Sequence, residues 1–224
     1  MKSSELREYS VLTWACERIF RALQLLSIAT WMMGSRVGMQ QQFVQGVDPV
    51  AATKRRGRRI ELYIVGWLVV ELLMLWQATS AQSVWRILLS ALASYRLADI
   101  LQATLNLNVF DRLRIDVAQI YVATLARTAL LSVWNFFESI LCFSVIYATH
   151  QTLLRGVGEA HVLPTALYFS TVTQLTIGYG DVTPTGMLRA VVMLQGALGL
   201  VLAVFAISRV IAFLPKTRSV FGDD

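Results

Sequence analysis

The chain has 224 residues, 56% of them apolar and only 15% charged. Those proportions, with a positive mean hydropathy, place it in the membrane class and argue against a soluble globular domain. The net charge of +6 would suit a nucleic-acid binder, but the densest basic run, Lys54-Arg55-Arg56-Gly57-Arg58-Arg59, abuts an apolar stretch starting at Ile60. No basic face interleaved with aromatics occurs elsewhere, so the expected partner is the lipid bilayer and not nucleic acid.

Residues 1–10 are polar and mixed in charge, with no short apolar core before a small-residue cleavage site, so insertion is expected to use the first transmembrane helix. Residues 11–33 are apolar but interrupted by Glu17, Arg18, Arg21 and Gln24, a pattern that suits a helix lying in the membrane interface and leaves a true crossing open. Residues 34–53, with Gly46, Asp48 and Pro49, read as a loop. Together with the basic run they form a first region, 1–59, on the cytoplasmic side.

Residues 60–79 are long enough to cross the hydrocarbon core, with Trp67 and Trp76 among the aromatics and Glu71 in the interior. After a polar connection, residues 84–107 make a second span despite Arg86, Arg96 and Asp99. Arg96 and Asp99 are three apart and share a helical face, where they partly neutralise one another. These two spans form a second region, 60–110.

The third region, 111–224, opens with Asp111-Arg112-Leu113-Arg114-Ile115-Asp116, a return to a polar inner surface. The outer helix lies within 111–150: residues 117–128 run along the inner interface and 129–149 cross outward. A polar turret over 151–163 follows. Pro164 then suits the first turn of a short helix within 164–185 that ends near Leu175. Residues 186–214 form a last apolar helix ended by Pro215, with Arg209, Lys216 and Arg218 as its inner basic flank. The tail of about ten residues is too short for a ligand-binding domain.

Between the short helix and the last one stands Thr176-Ile177-Gly178-Tyr179-Gly180-Asp181. A dehydrating cation needs oxygens to replace its water, and rings of backbone carbonyls supply them without a full negative charge. Aiming successive carbonyls to one side requires residues to alternate between ordinary and left-handed backbone, which glycine tolerates. The stretch from Ala166 to Pro184 resembles the pore loop of the tetrameric potassium channel superfamily, in its bacterial form, and with its flanking helices the resemblance covers roughly the last 90 residues.

The resemblance implies an all-α membrane protein with four transmembrane helices per chain, a re-entrant pore helix and a selectivity filter, assembled as a homotetramer because one loop cannot ring an ion. It implies a multi-pass protein of the cell membrane, with the filter facing out and both termini cytoplasmic. The carbonyls of Thr176, Ile177, Gly178 and Tyr179 would hold K⁺, the transported ion, with no other cofactor. Gly180 gives freedom at the outer mouth, and Asp181 bonds behind the filter and raises the local cation concentration. Leu175 stands where many relatives carry a second Thr. Tyr168, Phe169 and Val172 support the filter, and Val172 is apolar where some relatives place a buried acid, so that acid's pairing with Asp181 is not expected.

Gly196 and Gly199 interrupt the last helix, Gly199 at the family's hinge position, as a gating hinge or as close helix packing. Ile207, Val210 and Phe213 lie far enough along to form an inner constriction that closes by dewetting. Glu71, Arg127 and Glu138 are ionisable residues at or near membrane depth, where pairing or a functional role is expected. His150 and His161 flank the turret, as pH sensors or as exposed loop residues. Cys16 and Cys142 read as buried free thiols. No catalytic pair accompanies the acidic residues, so an enzyme is not expected. No helix carries arginine at every third position, as a voltage sensor of the usual type would. The stimulus is then expected to act through the membrane helices, residues 11–33, the filter or a separate regulatory subunit. Two alternative readings are a K⁺ transporter subunit and a non-conducting sensor or assembly subunit that retains the pore fold.

Overall fold

The computed structural model describes residues 18, 49–79, 82–110, 125–156 and 162–214. Apart from Arg18, the segment 11–33 lies outside the described residues, as do the polar run 111–116, His161 and the tail beyond 214.

The first long helix, α1, spans Pro49–Ala78, 30 residues. It begins well before Ile60, so residues 49–53 are helical and not part of a loop. The reason is local: Pro at the start of a helix has no N–H to leave unpaired, and Ala51, Ala52 and the basic residues that follow favour helix. Thirty residues of helix run about 45 Å, against a hydrocarbon core of about 30 Å. The apolar window is Gly57–Ala78, so most of the basic run sits on a helical extension before it.

Helix α2 spans Ser83–Leu105 and passes into a π-helical turn, Asn106–Phe110. The Asn108 side chain donates to the Thr104 carbonyl there (2.8 Å). At 23 residues α2 is long enough to cross, but Arg86, Arg96 and Asp99 lower its hydropathy; among the described residues, the stretches both long and apolar enough to span a membrane are Gly57–Ala78, Ala126–Thr149 and Leu188–Ala212.

The chain divides into two compact units, one of residues 1–64 and 98–120, the other of 65–97 and 121–224. In the first, the Tyr63 hydroxyl donates to Asp99 Oδ2 (2.6 Å) with both residues buried, which satisfies a carboxylate among apolar neighbours.

The second unit is built on α3, Leu125–Thr149, which starts four residues before the expected crossing at Ala129. Its C-terminal half is almost wholly buried, from Cys142 to Thr149. Small residues there, Ser139, Cys142, Ser144 and Ala148, let other backbones approach closely, as membrane helices require when burial from water supplies no driving force. Their hydroxyls are returned to the helix itself: Ser144 donates to the Ile140 carbonyl and Ser139 to that of Phe136.

Packed on α3 are a short helix α4, Val162–Gln174, and a long one, α5, Leu188–Phe213. Pro164 lies in the first turn of α4, as expected, although the helix begins two residues before it. Phe143, Tyr147, Phe169, Val172, Leu188, Leu198 and Leu202 form the core. After α3 a 3-10 turn, Gln151–Leu153, leads into β1, Leu154–Arg155. That strand pairs antiparallel with β2, Thr183–Pro184, in the register Leu154 with Pro184 and Arg155 with Thr183. The tie is reinforced where the amide and hydroxyl of Thr185 both donate to the Leu153 carbonyl (2.7 Å each).

Helix α5 buries the stripe Gln195, Leu198, Leu202 and Ala206 and exposes Met193, Leu194, Leu200, Val204, Ile207 and Ile211. An apolar helix that exposes this much side-chain surface needs lipid or protein around it.

Candidate functional site

Helix α4 ends by tightening into a turn: the Leu175 amide donates to the Thr171 carbonyl and that of Thr176 to Thr173. The next two amides fold back on one acceptor. Ile177 N–H (2.8 Å) and Gly178 N–H (3.3 Å) both donate to the Val172 carbonyl. In a trans peptide the carbonyl points opposite to the amide hydrogen it shares a plane with. The carbonyls of Thr176 and Ile177 are therefore directed away from α4.

The backbone angles continue that logic. φ is +58° at Thr176, +58° at Gly178 and +82° at Gly180, with ordinary values at Ile177 and Tyr179 between them. Alternation of this kind turns successive peptides so that their carbonyls share a side. Thr176 adopts the left-handed region although it is β-branched, a conformation that costs about 1–3 kcal/mol and persists where the surroundings enforce it. A Cβ added at Gly178 or Gly180 would meet no atom of the chain within 4 Å, so the constraint there is backbone angle and not space.

Residues 175–181 are all exposed. Tyr179 lies parallel to Tyr168 (centroids 6.4 Å, 3° between planes), and the Asp181 carboxylate lies beside the Tyr168 phenol. Removal from solvent, and then the carboxylate beside it, push that phenol above its ordinary value, so it stays protonated through neutral pH. Phe169 is buried and meets Tyr147 edge-on (4.9 Å). Val172 is buried too, and its carbonyl is what reaches the loop. At the outer end, a Cβ on Gly156 would overlap the Asp181 carbonyl oxygen. Gly156 also has φ +86°, so the first turret residue after β1 must be glycine to let the loop pass.

Behind the loop lies a buried polar network. The Gln195 carboxamide of α5 accepts from the Tyr147 hydroxyl of α3 (2.6 Å) and donates to the Ser170 carbonyl (2.9 Å) and to Gln174 Oε1 (3.1 Å), both on α4. Gln174 in turn donates to Ser139 Oγ of α3 (2.9 Å), and Ser170 Oγ donates to the Ile140 carbonyl (2.8 Å). Three helices are thus tied at the base of the 175–181 loop through groups that hydrocarbon cannot satisfy. Neither Gln195 nor Gln174 stands out among the site residues that the sequence suggests. The available signal was a glutamine in the middle of an apolar span, expensive unless paired.

Gly199 faces this network, and a Cβ there would come within 2.9 Å of the Gln174 carboxamide, so its missing side chain makes room for Gln174. Gly196 faces open space. Ile207 and Val210 are exposed in the last two turns of α5, and Phe213 is its final residue.

The membrane-depth charges form a second buried group. Arg96 of α2 donates from Nε (2.7 Å) and Nη2 to Glu138 Oε1 of α3, lies 3.9 Å from Glu71 Oε1 of α1, and stacks over Trp67 (5.0 Å). Partners 42 residues apart thus meet across helices. His150 is half-buried at the end of α3, its Nδ1 3.0 Å from the Ile146 carbonyl and 3.0 Å from Thr149 Oγ1. It is not an exposed loop histidine. Among the described residues no group of three His, Cys, Asp or Glu could hold a metal.

Residues 137–216 match a family model described as an ion channel. The match begins inside α3 and takes in α4, the 175–181 loop and α5, so it covers the elements that build and support this site. It supports an ion channel of the pore-loop type, and with three apolar helices it marks a membrane protein. No curated protein and no solved structure matches the chain.

Proposed function

We propose that the chain is one subunit of a potassium-selective channel that conducts K⁺ passively, with Thr176 to Tyr179 supplying the carbonyl oxygens. The observation that carries this reading is the alternation of left-handed residues at 176, 178 and 180, with the amides of Ile177 and Gly178 turned back onto the Val172 carbonyl. That leaves a row of carbonyls free to replace an ion's hydration shell. A single row cannot surround an ion, so four copies stand about a fourfold axis. The exposed apolar side chains of α5 supply surface for neighbouring copies and for lipid. Asp181, beside Tyr168 at one end of the loop, marks the outer entrance. Helix α2 makes the fourth crossing, which returns both termini to the cytoplasm.

Two experiments test this. Protein reconstituted in vesicles should release K⁺ down its gradient and leave Na⁺ behind; equal release of both ions would remove selectivity. The mass of the purified detergent complex should equal four chains, and a stable monomer that conducts would refute the shared pore.

A further inference from the structure

Glu71, Arg96 and Glu138 sit deep inside the second unit, each no more than a few per cent exposed. Glu138 falls near the middle of the apolar stretch Ala126–Thr149 and Glu71 within Gly57–Ala78. One guanidinium therefore faces two carboxyl groups where water is scarce. Its Nε and Nη2 both converge on Glu138 Oε1, and Glu71 Oε1 accepts from the Cys142 thiol (3.3 Å). Oε2 of Glu71 and Oε2 of Glu138 are both buried with no donor. Both carboxyl groups crowd the same guanidinium nitrogen, Glu138 Oε1 at 2.7 Å and Glu71 Oε1 at 3.9 Å from Arg96 Nε. Two carboxylates are acceptors only; at this distance, buried, they repel, and each orphan oxygen is costly to leave unpaired. A proton between them removes the excess charge and satisfies the oxygens together.

Among the described residues, Cys142 on α3 donates to Glu71, and Arg96 on α2 stacks over Trp67 on α1, whose ring lies beside Tyr95. Further along α2, Asp99 accepts from Tyr63. Arg96 is the cation among these, so they do not balance two negative charges. The next residue after Glu138 is Ser139, which receives the Gln174 amide behind the 175–181 loop. A change of charge at Glu138 is thus one residue from the network that holds that loop.

We propose that Glu71 and Glu138 form a proton-binding site, one proton shared between the two carboxyl groups, and that its release changes ion flux. The second part rests on the proposed function; the first does not. The pair titrates as a unit, so its proton belongs to neither residue alone.

The test uses the full-length protein reconstituted in bilayers. Infrared spectra at neutral pH should contain a protonated-carboxyl band that shifts in D₂O, is lost as pH rises, and is missing from Glu71→Gln and Glu138→Gln. In Glu71→Gln the amide can donate to Glu138 as the protonated acid would, so this variant should fold, and its K⁺ flux should lose the pH dependence that the unaltered protein shows over the range where the band disappears. Absence of the band from the unaltered protein overturns the site, whether or not either variant folds. A band that titrates without any change in flux overturns the coupling. A band in protein that passes no ion at any pH would instead count against the channel reading and leave the proton site standing.

Discussion

In the 175–181 loop the polar groups are backbone carbonyls, exposed and held in place by unusual φ angles; in the network behind it they are side chains, buried and held by one another. The contrast separates two tasks. An ion's ligands must be available to the ion, so their geometry has to come from the chain's own dihedrals. The scaffold that fixes those ligands must not exchange partners with water, so it closes its hydrogen bonds inside. Strain in the loop is tolerable because the network and the β1–β2 pairing constrain both of its ends.

The largest expected effect breaks the loop. Gly156→Ala would drive a Cβ into the Asp181 carbonyl and should abolish both assembly of the outer mouth and K⁺ flux. Assembly measured by native mass should fall with it. Gly178→Ala and Gly180→Ala each add about 1–2 kcal/mol of left-handed strain per chain without any clash within the chain. These should still assemble yet pass no K⁺, and normal conduction in both would argue against carbonyl ligation.

Next comes the network. Gln195→Leu leaves the Tyr147 hydroxyl, the Ser170 carbonyl and Gln174 Oε1 short of a partner, at about 1–3 kcal/mol for each group left unsatisfied. Thermal unfolding should show a clear loss of stability, with Tyr147→Phe losing less because it removes one donor. A Gln195→Leu protein as stable as the original would mean that these bonds do not hold the helices.

A smaller, sharper comparison sets the two α5 glycines against each other. Gly199→Ala presses on a carboxamide pinned at both ends and should cost about 1–3 kcal/mol and disturb conduction, whereas Gly196→Ala meets nothing and should be neutral or stabilise by up to about 1 kcal/mol. Equal gating defects from both would favour a hinge over close packing. The smallest effect belongs to Tyr168→Phe, which removes the hydroxyl beside Asp181 while keeping the ring over Tyr179. Flux should persist and decline faster with time.

Much of the loop was legible in the sequence because its chemistry is local: glycine reports a backbone angle, and Thr176 to Asp181 report an ordered set of them. Thr176 itself escaped, since nothing in a β-branched residue announces φ +58°. The network was not legible for the opposite reason. A glutamine in an apolar run says that a partner exists and not where, and the partners of Gln195 lie 21 to 48 residues away. Arg96 shows the same limit: local spacing offers Asp99, but nothing local announces that the guanidinium reaches Glu138 on another helix. The two-residue pairing of β1 with β2 is too short to leave any alternating pattern. Helix α1 starts eleven residues before Ile60 because Pro49, which composition alone marks as a loop residue, opens the helix.

The most direct test of the central claim is a reversal potential, measured on the purified protein in a planar bilayer with K⁺ on one side and Na⁺ at equal concentration on the other. A carbonyl filter built from Thr176 to Tyr179 predicts a potential displaced far toward the K⁺ equilibrium value. A potential near zero would contradict it.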